Sequence, residues 1–338
     1  MSFLLIDGGR VWPGTPTGEG PQSFLIAGER IARAGPVNRG ALDLLGVEYE
    51  TIDASGCLIM PGLIDVHEHL LGGSGEQGFE TQTPEIFLSE LLSAGITTVV
   101  GCLGTDTTTK TMQGLLAKAK ALKNQGLTSF VWSGGYNVPP VTLTGSIRTD
   151  MLFVDEIIGS GETAIADKRS TAPSLAELAR LVKETYVAGT LSGKAGVTHF
   201  HVGEEPHGLA DLRELLDNYG AKPEWLYPTH VERNESLMTE AVELTKRGVT
   251  VDVDTIEEDL AQWLRFFLNA GGDPGHLTAS SDAAISSPQT LFRQIRSCVL
   301  DARFDRDVVL PLVTANPARV LKLSRKGRLE PGCDADLL

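Results

Sequence analysis

The sequence predicts an α/β protein: a closed (β/α)8, TIM-like barrel carrying a small β-sandwich domain built from both termini. Three observations point there. From Gly62 onward, short β-rich apolar runs alternate with longer stretches of helical periodicity, the pattern of successive βα units. Eight strand candidates can be counted: Leu63 to His69, Thr97 to Leu103, Ser129 to Tyr136, Thr163 to Asp167, Val197 to Val202, Trp225 to Val231, Val249 to Thr255 and Leu277 to Asp282. The Gly73-x-Gly75-x-x-Gly78 run after the first strand is a lone, weak match to a dinucleotide fingerprint, and eight strands fit a closed barrel better than an open dinucleotide-binding sheet.

Each element has its local reason. Helical patterns fall at Pro84 to Ser93, Lys110 to Asn124, Ser174 to Val187, Ser236 to Arg247 and Glu257 to Asn269, and several open at a Pro, Ser or Asp suited to a helix start. The first 55 or so residues read differently. Phe3 to Ile6, Ser23 to Ala27 and Arg30 to Ala32 are short strands parted by Gly, Pro and Asn turns. The expected domains are a barrel over 61–323 and a β-sandwich from 1–60 with 324–338, the share of the Gly327 to Leu338 tail being what the family resemblance given below implies.

Composition narrows the function classes. The 338 residues, 41% of them hydrophobic, suffice for one large core and a small satellite. The start, Met1 to Asp7, lacks the basic and apolar regions of a signal peptide, and no apolar run approaches the roughly 20 residues of a membrane span. A cytoplasmic protein without a membrane partner is expected. A formal net charge of −15 repels phosphate backbones and argues against nucleic acid. Cys57, Cys102, Cys298 and Cys333 lie far apart and form no C-x-x-C, so neither a disulfide framework nor a thiolate zinc site is indicated. A homo-oligomer is expected.

The most informative stretch is His67-Glu68-His69, at the end of the apolar run Leu58 to Val66. Alternate side chains of a strand share a face, so both imidazoles point the same way just before the Gly72-Gly73-Ser74-Gly75 loop. In a (β/α)8 barrel the chemistry gathers at the C-terminal strand ends. Reading those ends in order gives His67 and His69, Thr105, Tyr136, Glu162 to Arg169, His201, His230 with Arg233, and Asp282. Four of the seven histidines fall there, and a correlated set of this kind favours metal ligation by His67, His69, His201 and His230. Glu68 points the other way and is expected to pack. His199 shares a face with His201 but lies deeper, as a hydrogen-bonded core histidine would. Asp282 is suited to a helix N-cap or, beside the histidines, to the acid–base work of a metallohydrolase.

Pro61-Gly62-Leu63-Ile64-Asp65-x-His67-x-His69 resembles the signature that opens the barrel of the amidohydrolase superfamily. The likeness narrows with Gly104-Thr105-Asp106, the Gly135 to Pro139 turn, Ile165 to Ser170, Pro228 to Asn234 and Ser280-Ser281-Asp282, which together resemble the isoaspartyl dipeptidase family across nearly the whole chain. That resemblance implies cleavage of β-aspartyl dipeptides with two divalent metals, zinc first among them. It assigns metal ligation to His67, His69, His201, His230 and Asp282, the base to Asp282, and a carbonyl-polarising hydroxyl to Tyr136. Glu76 would meet the substrate ammonium, and Ser74, Thr105, Arg169, Arg233 and Ser286 its carboxylates. Where the family has a bridging lysine, this chain reads Gly159-Ser160-Gly161-Glu162-Thr163; Glu162 is the expected bridge, with Lys168 as the alternative. Another amidohydrolase, such as an N-acyl amino acid deacylase or cyclic amidase, stays open, as does a metal-free scaffold. Imidazole and carboxylate ligands also suit manganese, iron or cobalt.

Overall fold

A computed structural model describes residues 2–12, 22–46, 48–284 and 286–338. The chain divides into two compact units, Met1–Leu63 with Leu323–Leu338, and Ile64–Lys322.

The terminal unit is a mixed sheet of β1 (Phe3–Val11), β2 (Gln22–Ala27), β3 (Arg30–Ala34), β4 (Glu50–Asp53) and β5 (Leu58–Ile59), in order β3-β2-β1-β4 with β5 also on β1. The β1–β2 and β2–β3 pairs are antiparallel, whereas β4 and β5 run parallel to β1. Alternation in β2 turns Phe24 and Ile26 into a core completed by Ile31, Ile59 and, from the C-terminal tail, Leu329 and Cys333. Backbone bonds from Ile31 N to Cys333 O (3.0 Å) and from Gly62 N to Asp336 O (2.9 Å) stitch that tail to the sheet.

The larger unit carries β6 (Leu63–Glu68), β7 (Ile96–Gly101), β8 (Thr128–Ser133), β9 (Ile157–Ile165), β10 (Val197–Val202), β11 (Leu226–Thr229), β12 (Val251–Asp254) and β13 (Leu277–Ser280). β6 to β11 form a parallel sheet in sequence order, and β12 pairs with β13. The sheet curls until its ends meet: Asp282 N donates to His67 O (3.1 Å), His69 N to Ala283 O (3.0 Å), and Thr229 Oγ1 to Asp252 across the other seam (2.8 Å). Every residue of β6, β9 and β10 is buried, as parallel strands covered on both faces must be.

Two element starts differ most from the sequence reading. β9 begins at Ile157 rather than Thr163. Its Gly159-Ser160-Gly161 run looks like a turn, but Gly159 lies against Val197 O and the Trp132 ring, and Gly161 against His199; a Cβ at either would collide. The helix expected from Pro84 starts at Leu88, where the Phe87 N–H donates to the Glu90 carboxylate at 2.8 Å. Elsewhere Thr111, Ser174 and Asn234 cap the helices Met112–Asn124, Leu175–Ser192 and Glu235–Lys246. Among the described residues, no helix is long and apolar enough to cross a membrane.

Candidate metal centre and active site

Five strand ends bring four imidazoles around two carboxylates. β6 carries His67 and gives out at His69, β9 carries Glu162, β10 carries His201, and His230 and Asp282 follow β11 and β13. His230 and Asp282 both adopt left-handed backbone (φ 63° and 43°), a conformation costly for residues with a Cβ and often kept at functional sites.

Glu162, fully buried, reaches all four histidines: Oε2 lies 3.0 Å from His201 Nδ1, 3.5 Å from His67 Nε2 and 3.7 Å from His230 Nε2, and Oε1 lies 3.4 Å from His69 Nε2. Asp282 reaches three of them, with Oδ1 at 3.3 Å from His67 Nε2 and 3.2 Å from His69 Nε2, and Oδ2 at 3.9 Å from His230 Nε2. Burial opposes ionisation of both acids, but positive charge among the imidazoles, His67 first, holds each carboxyl well below the ordinary range, and a bound cation supplies that charge where the imidazoles are neutral.

The proton positions follow from the outer hydrogen bonds. His199 Nδ1 lies 2.9 Å from the Tyr227 carbonyl, which only accepts, so that nitrogen carries the proton. His199 Nε2 is then an acceptor, 2.7 Å from His67 Nδ1, and His67 presents a bare Nε2 to the two carboxylates. His230 repeats the arrangement: its Nδ1 donates to Asp254 Oδ2 at 2.7 Å, leaving Nε2 facing inward. Lone pairs thus confront carboxylate oxygens at 3.3 to 3.9 Å. His67 Nε2 and Glu162 Oε1 are buried and make no hydrogen bond at all. Buried polar atoms normally have partners, and converging bare nitrogens and carboxylates are answered by cations. Of four sets of donor atoms close enough to share an ion, three join this cluster: His67, His69, Cys102 and Glu162; His67, His230 and Asp282; and Glu162, His201 and His230; the fourth is His230, Glu232 and Asp254.

A cavity of about 650 Å³ opens onto His69, His201, Tyr136 and Asp282. All six residues expected around a substrate line it: Ser74, Glu76, Thr105, Arg169, Arg233 and Ser286. The Tyr136 hydroxyl stands 2.8 Å from His201 Nδ1, and burial, then the charge of Glu162, pushes its pKa far up, so it keeps its proton. Arg169 and Glu76, expected to take opposite ends of a substrate, here take each other, with Nη1 at 2.9 Å from both Glu76 oxygens. Thr105 Oγ1 donates to the same carboxylate at 2.9 Å, and Arg233 Nε donates to Val202 O at 2.9 Å. Lys168 is exposed, in the loop that follows β9.

Several residues escaped the sequence reading. Asp65 Oδ1 accepts from His67 N and Ser281 N, both at 3.2 Å, and burial pushes its carboxyl up to about 7. Asp254 ends a barrel strand, and that position is the signal available for it in the sequence. Asp167 lies 3.0 Å from His201 Nε2 and pairs with Arg169. Glu68, by contrast, is expected to pack and is fully buried, with neither oxygen hydrogen-bonded, and burial, then the charge of Asp65, raises its pKa well above the ordinary range.

Comparison with known proteins now bears on this geometry. Residues 58–338 match the amidohydrolase family. The crystal structure of a β-aspartyl dipeptidase from Fervidobacterium islandicum AW-1, bound to the β-Asp-Leu dipeptide, is 36% identical with a TM-score of 0.92, covering 98% of this chain and 90% of that one. An enamidase superposes with a TM-score of 0.70 at 18% identity, over 99% of this chain and 86% of the other, a likeness of fold alone. An imidazolonepropionase of Bradyrhizobium sp. is 34% identical over 33% of this chain and 28% of its own, and a dihydroorotase of Syntrophotalea carbinolica 35% over 30% and 21%. The match to these curated relatives thus spans less than a third of their length.

Proposed function

The chain belongs to the amidohydrolase family and is a homologue of β-aspartyl dipeptidase, and on that premise we propose that it hydrolyses the amide bond of β-aspartyl dipeptides. The observation that carries this reading is the cavity wall, which sets one carboxylate, Glu76, and two guanidinium groups, Arg169 and Arg233, around the mouth of a buried His and carboxylate cluster. A β-aspartyl dipeptide offers the matching ammonium and carboxylates.

The donors fit two divalent ions, zinc by preference: His67, His69 and Asp282 would hold one mainly, His201 and His230 the other, with Glu162 between them. Such ions, when bound, lower the pKa of water toward neutrality and polarise a carbonyl. The chain's own groups supply the rest. Glu76 and the arginines orient the dipeptide, which converts a bimolecular encounter into a positioned one. Tyr136, held protonated, donates to the oxygen on which charge develops. Asp282, ionised and at the cavity wall, takes a proton from the attacking water and returns it to the departing amine.

Activity against β-Asp-Leu, α-Asp-Leu, γ-Glu-Leu and N-acetyl-leucine tests the reading. Turnover of β-Asp-Leu ahead of the others is expected. Cleavage of the N-acyl compound with β-Asp-Leu untouched would replace the dipeptidase by a deacylase.

A further inference from the structure

We propose that Asp167 is a positioning residue shared by the metal centre and the substrate pocket, fixing His201 on one side and Arg169 on the other. The His201 half stands on the structure alone; the Arg169 half rests on the dipeptidase reading.

Asp167 lies just past Ala166, the first residue after β9, and is buried. Its Oδ1 accepts from the Arg169 backbone N–H and from Nε, both at 2.8 Å, and its Oδ2 accepts from Arg169 Nη2 at 2.6 Å. The same Oδ2 lies 3.0 Å from His201 Nε2. Arg169 Nη2 also lies 3.0 Å from His201 Nε2, but a guanidinium only donates, so the two cannot bond if that nitrogen is protonated. The opposite edge of the ring decides the tautomer. His201 Nδ1 faces the protonated Tyr136 hydroxyl at 2.8 Å and Glu162 Oε2 at 3.0 Å. Nδ1 is the nitrogen turned toward Glu162 and the donor cluster, and it must be bare to hold a cation. With a cation held there, the ring proton sits on Nε2 and goes to Asp167 Oδ2.

His201 thus differs from His67 and His230, whose inward nitrogens are Nε2. Its ring is turned over, and Asp167 is the group that holds it so. The carboxylate also fixes the Arg169 fork, leaving Nη1 turned to Glu76 and the guanidinium 5.2 Å above the Tyr136 ring. Outer partners of metal-binding histidines commonly change metal affinity by roughly 10- to 100-fold when removed. Asp254 on His230 is such a partner without the arginine.

The test titrates the metal-stripped full chain with Zn²⁺ against a chromophoric chelator, then measures kcat and KM on β-Asp-Leu at saturating Zn²⁺. Asp167→Asn should weaken one bound ion by roughly 10- to 100-fold and, with zinc saturating, still raise KM about tenfold. Asp254→Asn should weaken zinc without that rise in KM, and Arg169→Met should raise KM with zinc affinity kept. Asp167→Asn with wild-type zinc affinity, or with wild-type KM at saturating zinc, would overturn the shared role. If Asp167→Asn does not fold, ¹⁵N spectra of the zinc-loaded wild-type protein decide: a proton on His201 Nε2 is expected, and zinc on Nε2 refutes it. A wild-type protein that ignores β-Asp-Leu would sink the dipeptidase reading alone, since the zinc titration reads the His201 half without substrate.

Discussion

Replacing Glu76 by Gln keeps the side chain's volume and removes its charge, which isolates the recognition of an ammonium. In the structure both Glu76 oxygens lie 2.9 Å from Arg169 Nη1, and Oε1 accepts from Thr105. A substrate ammonium must take the place of that arginine. The pair given up is nearly half exposed on the glutamate side and is worth about 0.2–1 kcal/mol, while the charge-assisted hydrogen bond gained is worth about 1.5–3 kcal/mol. The difference, roughly 0.5–2.8 kcal/mol, centres near a fifteenfold effect at about 1.4 kcal/mol per decade. The ammonium is distant from the reacting bond and is held alike in ground and transition states, so the loss belongs in KM, with kcat little changed. Steady-state kinetics on β-Asp-Leu, with its N-acetylated form as the control lacking an ammonium, reads this directly. Glu76→Gln with wild-type KM on β-Asp-Leu, or wild-type protein indifferent to N-acetylation, would refute the reasoning.

Other expectations follow from the same geometry. Glu162→Ala should cost at least one metal equivalent and most of the activity, whereas Lys168→Ala should leave both unchanged, as read by elemental analysis of the purified variants. Tyr136→Phe should lower kcat by roughly 10²- to 10³-fold with metal content retained. Asp282→Asn should be worse, because it removes a metal donor together with the proton carrier, and normal turnover would require another base. In the terminal unit burial opposes the charge of Asp334, but Lys326, Arg30 and Arg325 outweigh it and depress its pKa. A depressed carboxylate lends stability above the unfolded value near 3.9 and loses it as pH falls through the folded value. The gap in urea midpoint between wild type and Asp334→Asn should therefore narrow between about pH 6 and pH 3.

What could be read from the sequence was whatever depends on periodicity. His67 and His69 announce themselves because two residues of one type at a spacing of two must share a strand face, and the eight strands are apolar runs of ordinary length. β9 resisted because its glycines mimic a turn while serving close contact with Trp132, Val197 and His199, and nothing local distinguishes the two uses. Asp167 and Asp254 resisted for a different reason: an acid just after a strand has the appearance of a solvated charge or a helix cap until the histidine beside it is known. The partnership of Glu76 with Arg169 joins residues far apart in the chain and is visible only in space. Long-range polar pairing leaves no period in a sequence, whereas burial does.

The seam between the first and last barrel strands sets an order of events during synthesis. His67 O accepts from Asp282 N, and His69 N donates to Ala283 O, so the residues that close the cylinder are also those that offer donor atoms. A nascent chain that has made only β6 to β11 holds four imidazoles and Glu162 but lacks the carboxylate of the eighth strand. Such non-local pairing is acquired late. Full cation occupancy is then a certificate of completed closure, and a ribosome-stalled chain ending before Leu277 should capture metal only weakly.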